Sequence, residues 1–327
     1  MLHSKTIFIS KFFFILLLIF FFNSFFFLLK PYKNYINVAY AFDNNYEYIT
    51  HVSMKSIMLS QNPTTFINFY LLVSNLTRKQ KSIINRIRVE HNNCNIHFFY
   101  MGKKFKNYGT PLSIWSTAIY YRICLQDLLP NEKKILYLDT DTLIYKDLTK
   151  LYNYEIANKY YIGMFENKGK TFFEQYNTNF NIYINSGVLL CNLEELRKAN
   201  ATDKFLKFYE KFKGKIKFPL NDGVNYISNK KNAFFNPDYV VIGFCNDNEI
   251  FKYYNKVNVN ISIKEVMKSY KDPYIYHFIL HVKPWRGISR NQHHVCVDPM
   301  TRFYEMARKT SLYYEILKNF PLKIPHE

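Results

Sequence analysis

The sequence predicts an α/β fold built on a largely parallel sheet, and three observations predict it. Past Pro31 the chain alternates strand-like and helix-like segments, the pattern of βαβ units. The run Ile135-Leu136-Tyr137-Leu138 is continuously apolar, as a strand buried on both faces must be. That run ends in Asp139-Thr140-Asp141, two carboxylates one residue apart that can both reach one hard cation. In open α/β sheets the ligand crevice lies beyond the carboxyl ends of the strands, where such a cation would hold the phosphates of a nucleotide.

The elements follow in order. Ile36 to Phe42 reads as the first strand, and Tyr46 to Ser60 as a helix with apolar residues at Ile49, Val52, Ile57 and Met58. Phe66 to Val73 is a second strand. Asn75 or Thr77 supplies the N-cap of a helix running to about Val89, and Ile96 to Tyr100 is a third strand. A helical stretch from Ser113 to Leu129 leads into the strand that carries the Asp pair. Beyond it the pattern is less regular, with strands at Tyr183 to Asn192 and Ala233 to Phe235 and a helix at Ala201 to Phe212. Pro299 to Phe320 reads as one helix in which Phe303, Met306, Tyr313, Tyr314, Ile316 and Leu317 are interleaved with Arg302, Arg308, Lys309 and Lys318. Such a helix lies in a membrane interface or packs on the domain, and pattern alone does not choose.

The 327 residues are 48% hydrophobic and 19% aromatic with few Gly and Pro, which leaves no low-complexity linker to divide the chain. The expected organisation is an N-terminal tail and transmembrane anchor over residues 1–33 and one domain over residues 34–327. The anchor is Phe12 to Leu29, about 18 residues broken only by Asn23 and Ser24, which as a helix spans about 27 Å. No small-residue cleavage site follows in Lys30-Pro31-Tyr32-Lys33, so an uncleaved signal anchor is expected. That makes the chain a single-pass membrane protein, Golgi or ER lumenal in a eukaryote and held at the cytoplasmic membrane in a bacterium. Lys5 and Lys11 before the span balance Lys30 and Lys33 after it, which leaves the orientation open.

The net charge of +19 comes from 44 Lys and Arg against 25 Asp and Glu. These residues are spread along the chain without a basic stripe, which argues against a nucleic-acid partner and for a membrane surface or a nucleotide diphosphate. Sequons at Asn75, Asn200 and Asn260 carry little weight in so Asn-rich a chain. The five cysteines, Cys94, Cys124, Cys191, Cys245 and Cys296, show no metal spacing, and Cys124 and Cys191 sit in apolar segments as buried thiols.

Four segments, taken in order and spacing, resemble the family 8 glycosyltransferases, the group of glycogenin and the bacterial lipopolysaccharide galactosyl- and glucosyltransferases. They are Val38 to Tyr46, Tyr137 to Asp141, Asn185-Ser186-Gly187 through Asn192, and His277 through Lys283-Pro284-Trp285. The resemblance implies a GT-A-type fold, a UDP-sugar donor, a glycan or glycolipid acceptor, Mn²⁺ (or Mg²⁺) as cofactor, and retention at the anomeric carbon. It places the donor against Ala41, Asp43, Asn45, Tyr46, Arg122, Asp139, Thr140, Asp141, Asn185, Ser186 and Lys283, and the metal on Asp139, Asp141 and His277. An imidazole with two carboxylates suits Mn²⁺ better than Ca²⁺ or a structural Zn²⁺. In the same resemblance Lys283 would neutralise the diphosphate, Arg122 would touch the donor phosphate and sugar, and Asn185 would bond sugar hydroxyls. His281 falls in a gap of the motif.

Each residue also has a plainer reading. The Asp43-Asn44-Asn45 run can cap the helix that starts near Tyr46, a lone His277 can be a satisfied core residue, and Arg122 can be solvated. The family's Asp-Gln-Asp is represented by Leu220-Asn221-Asp222, with Asn225 in register. Asn221 and Asp222 are therefore the expected catalytic residues, with the first carboxylate missing and the amide one methylene shorter. Leu280 replaces a family Gly. An amide is a poor nucleophile, so front-face attack is favoured over a covalent double displacement. A glycan-binding protein of the same fold that has lost turnover is the main alternative. An aspartate-nucleophile phosphohydrolase fits less well, because Thr142 follows Asp141 at once where that signature has one more residue between them.

Overall fold

The structure is a computed structural model, and it describes residues 32–43, 46–109, 116–166, 175–176, 183–228, 230–243, 263–279, 283–286 and 297–321. The strands β1 (Asn34–Phe42), β2 (Thr65–Val73), β3 (Cys94–Tyr100) and β4 (Lys134–Leu138) lie side by side and parallel in the order β3-β2-β1-β4. Strand β5 (Thr142–Ile144) leaves this sheet, and β6 (Tyr161–Phe165), β7 (Ile184–Asn192) and β8 (Asn232–Phe234) extend it. β7 runs antiparallel to β4 and to β6, and β8 runs parallel to β6. The expected parallel sheet thus holds up to β4 and turns mixed beyond it. β5 joins β9 (Val240–Ile242) and β10 (Ile275–His277) in a separate three-stranded sheet with β10 in the middle.

Helices cover both faces, as a parallel sheet requires. α1 (Glu47–Ser60) is buried on all sides from Tyr48 to Met58, so it reads as hydrophobic nearly all round. α2 (Arg78–Glu90) begins at a capping box in which Thr77 Oγ1 accepts from Gln80 N and Gln80 Oε1 accepts from Thr77 N, so Thr77, not Asn75, is the cap. Of the predicted helix from Ser113, residues 113–115 lie outside the described residues, and the rest is a 3₁₀ segment at Thr117–Cys124, capped by Ser116, followed by the short α3 (Leu125–Leu128). α4 (Thr149–Tyr152), α5 (Leu193–Lys198), α6 (Ala201–Phe212), α7 (Pro219–Ser228) and α8 (Ile263–Lys271) follow. The predicted C-terminal helix is two helices, α9 (Val297–Arg308) and α10 (Tyr313–Asn319), because the Thr310 hydroxyl and amide both bond the Ala307 carbonyl and close a turn there. Both pack on the domain: Phe303, Met306 and Ile316 are buried in one cluster with Tyr276 and Trp285. Cys94, Cys124 and Cys191 are buried free thiols, and Cys245 and Cys296 lie outside the described residues.

The expected single-pass membrane localisation, and with it the membrane partner, is corrected. Among the described residues no helix is long and apolar enough to cross a membrane. The longest, α1, has 14 residues and rises about 21 Å, short of the about 30 Å of a hydrocarbon core. The apolar segment Phe12 to Leu29 on which that expectation rested lies outside the described residues.

His51, on α1, tests this packing. Burial pushes its imidazole down to about 4, with Glu90 opposing the shift and Lys55 and Arg86 adding to it. In the unfolded chain an imidazole takes its proton near pH 6.5, so between about pH 6.5 and 4 only the unfolded state is protonated. Stability from this group is therefore whole above about pH 6.5 and falls by up to about 3 kcal/mol as the pH drops to 4. In His51→Leu that part of the acid loss disappears. Urea unfolding at pH 7 and pH 4.5 should show a loss smaller by about 2 kcal/mol in the variant than in the parent. Equal losses would show that His51 is not buried neutral.

Candidate active site

The site forms where the chain passes from one sheet to the other. The β4–β7 ladder ends with Asp139 N donating to Gly187 O at 2.7 Å. Three residues on, Thr142 opens β5 and lies opposite His277 of β10, while Phe278 N donates to Asp141 O at 2.9 Å. α1 holds β5 in place: the Ser53 and Thr142 hydroxyls are 3.2 Å apart, and Ile144 N donates to Ser56 Oγ at 2.9 Å. Pairing β5 with β10 brings His277 against Asp141 across a separation of 136 residues. His277 Nε2 lies 3.1 Å from Asp141 Oδ1 and 3.7 Å from Asp139 Oδ2. One ligand atom from each of Asp139, Asp141 and His277 falls within 4.8 Å of the others.

Charge around the pair is closely balanced. Asp139 Oδ1 accepts from Arg122 Nη2 at 2.6 Å and from the Tyr137 hydroxyl at 2.9 Å. Asp141 Oδ2 accepts from the Lys283 ammonium, which also donates to Phe278 O. Burial alone would raise the Asp141 carboxyl, but Lys283 and His277 outweigh it and hold it well below the usual carboxylate range. Burial raises the Tyr137 phenol, with Asp139 adding to the rise and Arg122 opposing it, so the hydroxyl stays a donor. Arg122 is buried rather than solvated. It stacks 4.0 Å over the Tyr137 ring, and Nη1 donates to Ser186 O at 2.5 Å and Nε to Ile119 O at 3.1 Å. The 3₁₀ segment sets that last bond, since its repeat brings the carbonyl three residues back into line.

The Asp139, Asp141 and His277 set suits a divalent cation. It offers two carboxylates and an imidazole, and space for it depends on Gly187. A Cβ on Gly187 would collide with His277 Cε1 and stand 2.7 Å from Asp139 Oδ2.

Arg122 and Ser186 connect this cluster to a second group. Ser186 Oγ donates to Asn221 Oδ1, which also accepts from Ser186 N at 3.3 Å. Asn221 Nδ2 donates to Glu166 Oε2 at 3.3 Å, and Asn185 Nδ2 donates to the same oxygen at 3.1 Å. Asn185 Oδ1 accepts from Gly187 N at 2.8 Å, closing the turn. The structure thus joins Arg122, Asp139, Asp141, His277, Lys283, Asn185, Ser186 and Asn221 in one network, with Thr140 buried in the turn between the two carboxylates.

Ala41 lies near the end of β1 and Asp43 directly follows the strand, and Tyr46, the N-cap residue of α1, meets Trp285 edge-on at 6.4 Å and accepts from Arg286 Nη2 at 3.1 Å. The Tyr46 side chain makes no cap hydrogen bond to α1. Asp222 points into the interior, where its carboxylate accepts from the Tyr183 hydroxyl at 2.7 Å and the Tyr176 hydroxyl at 2.8 Å. Asn225 bonds both backbone groups of Ile184. Asn45, Leu280 and His281 lie outside the described residues.

The Glycosyl transferase family 8 sequence model matches residues 37–289 of the chain. The chain belongs to glycosyltransferase family 8. A provisionally named glycosyltransferase of Haemophilus influenzae is 28% identical over 62% of this chain and 62% of its own length. The chain thus spans less than two thirds of that relative. A lipopolysaccharide 1,2-glucosyltransferase of Escherichia coli is 24% identical over 77% of this chain and 80% of its own. Among solved structures, the galactosyltransferase LgtC in complex with donor and acceptor sugar analogs superposes with a TM-score of 0.70 at 18% identity, covering 84% of this chain and 96% of that one. That likeness shows the GT-A-like mixed α/β fold.

Set beside the family pattern, two residues escaped the sequence reading. Glu166 closes β6 after Tyr161-Ile162-Gly163-Met164-Phe165 just as Asp139 closes β4, and a carboxylate ending an apolar run was the available signal. Tyr137 lies inside its strand, and nothing in the pattern marks its hydroxyl as a partner of Asp139. Leu220, which stands where the family has a carboxylate, is buried in the core beside Phe205 and Val224.

Gly187→Ala is the most local test of the cluster. The added methyl forces His277 and Asp139 apart, and misplacement of about 1 Å in such a site costs on the order of 100-fold. Divalent-cation affinity measured by calorimetry should fall by about tenfold or more while the circular dichroism spectrum is retained. Unchanged affinity would mean that the cation is not held by these residues.

Proposed function

We propose that this family 8 protein transfers a hexose or pentose from a UDP-sugar to a glycan or glycolipid acceptor, with retention at the anomeric carbon and with Mn²⁺, or Mg²⁺, as cofactor. One observation carries the reading: Asp139, Asp141 and His277 converge beside Lys283, and Arg122 joins them to the amides of Asn185 and Asn221. The relatives named as a lipopolysaccharide glucosyltransferase and a galactosyltransferase support the substrate class.

Bound at the three ligands, the cation would supply Lewis-acid stabilisation of the departing diphosphate. Lys283 adds a point charge on the phosphate side. Glu166 and the two amides beside it offer acceptors and donors for sugar hydroxyls. The acceptor hydroxyl attacks from the face the diphosphate leaves: its oxygen bonds the anomeric carbon, the carbon–phosphate-oxygen bond breaks, and the hydroxyl proton passes to the departing phosphate oxygen. Asn221 Oδ1 already accepts two bonds from Ser186, so it is ill placed to act as a nucleophile. Glu166 returns a carboxylate to a site from which Leu220 removes one, and this favours turnover over a glycan-binding protein that has lost it.

The test is release of UDP from a panel of UDP-sugars with either cation. Asp139→Asn and Asp141→Asn should each lower turnover by about 100- to 1,000-fold, the several kcal/mol a catalytic cation supplies. Parent-level rates in both variants, or no UDP release by the parent from any donor, would reject the reading.

A second reading has Glu166 as the nucleophile of a double displacement, since it is the carboxylate nearest both amides. The front-face route predicts that Glu166→Gln loses about tenfold in kcat and that Glu166→Ala loses more, because the glutamine still holds Asn221. A loss beyond about 10⁴-fold in Glu166→Gln, the scale of a missing nucleophile, would favour double displacement.

A further inference from the structure

A separate cavity of about 420 Å³ opens between α6 and the connection from α7 to β8. Its lining includes Tyr160, directly before β6, and Ser228, at the end of α7. Glu166 lies six residues along that strand, about 20 Å away, and Asn221 seven residues back along that helix, about 10 Å. The cavity therefore sits at the far ends of the elements whose near ends build the transfer site.

Four lysines line it. Lys204, Lys207 and Lys211 project from one face of α6 at spacings of three and four residues, and Lys231 faces the cavity from the foot of β8. Like charges at those spacings cost a helix a few tenths of a kcal/mol per pair, a repulsion that a bound anion would relieve. Only part of the charge is met within the protein. Lys207 pairs with Asp203 at 2.7 Å and Lys231 approaches Glu195 at 3.7 Å, while Lys204 and Lys211 make no ion pair with a described residue. The walls also carry rings: Tyr226 lines the cavity, and Lys231 Nζ lies 4.7 Å over the ring of Tyr160. The volume falls in the roughly 300–1,000 Å³ range of small-molecule sites and is many times that of one water, about 30 Å³, so an inorganic ion would leave most of it unfilled.

We propose that this cavity binds an anionic carbohydrate, a sugar bearing phosphate groups, with the sugar ring against the tyrosines and the charge on Lys204 and Lys211. The ligand is a free sugar phosphate or the phosphorylated segment of a longer glycan. The site is independent of the transfer reaction.

Calorimetry on the full chain and on the Lys204→Gln/Lys211→Gln double variant tests it, with glucose 6-phosphate, a phosphorylated oligosaccharide, glucose and inorganic phosphate as probes. Both lysines are exposed, so the variant keeps the fold and its basal UDP-sugar hydrolysis. At least one phosphorylated sugar should bind with a Kd below about 1 mM, glucose and inorganic phosphate should bind about tenfold more weakly or not at all, and the double variant should lose about tenfold in affinity. Tighter binding of the oligosaccharide supports the polymeric source, and equal affinity supports the free sugar phosphate. Absence of binding, inorganic phosphate binding as tightly as either sugar, or unchanged affinity in the variant would overturn the proposal.

Discussion

Asp139 to Asp141 carry the chain out of the seven-stranded sheet and into the three-stranded one, and the rest of the site depends on that crossing. Backbone hydrogen bonds hold both ends of it, Asp139 N to Gly187 O on one side and Phe278 N to Asp141 O on the other. The two carboxylates and His277 are thus placed by ladders rather than by side-chain choice alone. Sites anchored on strands keep their geometry better than sites on loops, and a cluster of this kind needs that precision to select a cation.

Electrostatics then decides what the crossing can hold. Two carboxylates gathered in a partly buried space repel each other and lose hydration, which would push at least one toward its neutral form. Lys283 and His277 prevent this at Asp141, and Arg122 pairs with Asp139. Arg122 and Lys283 differ in kind. Arg122 has its Nε, Nη1 and Nη2 all engaged and its plane stacked on Tyr137, which suits a fixed member of the frame. Lys283 presents a compact ammonium on a flexible stem, and among the described residues it bonds Asp141 and one backbone carbonyl and lies 5.9 Å from the Trp285 ring centroid. Removing Arg122 would strand a carboxylate and loosen Ser186 at once, whereas Lys283 is built to shift its charge between partners.

How far this was legible in the sequence follows from which interactions are local. Continuous apolar runs marked β1, β2 and β4, and Ala201 to Phe212 matched α6 at both ends, because burial and helical spacing act within a few residues. The Asp pair and His277 could be joined only through their motif spacing, since the β5–β10 pairing links segments far apart in the chain. Glu166 had a local mark, a carboxylate ending an apolar run, but its place beside Asn185 and Asn221 depends on β6 lying next to β7, and no local pattern encodes strand order. The break between α9 and α10 hangs on one Thr310 hydroxyl, a competition with the helix that periodicity does not register. The membrane expectation rested on composition in residues 12–29 and had no counterpart in the domain that carries the site.

The departures from the family pattern make physical sense together. Leu220 turns into the core, so position 220 contributes packing where the family contributes charge. Asn221 is a methylene shorter than the family's Gln, and Glu166 reaches it from the end of β6. Ser186 donates to the oxygen of the Asn221 amide and Glu166 accepts from its nitrogen, so the amide can point only one way. Behind it, Asp222 receives two tyrosine hydroxyls and ties the first turn of α7 to the interior. With its two ends held on opposite sides, Asn221 keeps a defined orientation, and the shorter side chain has less rotamer freedom to lose in holding it.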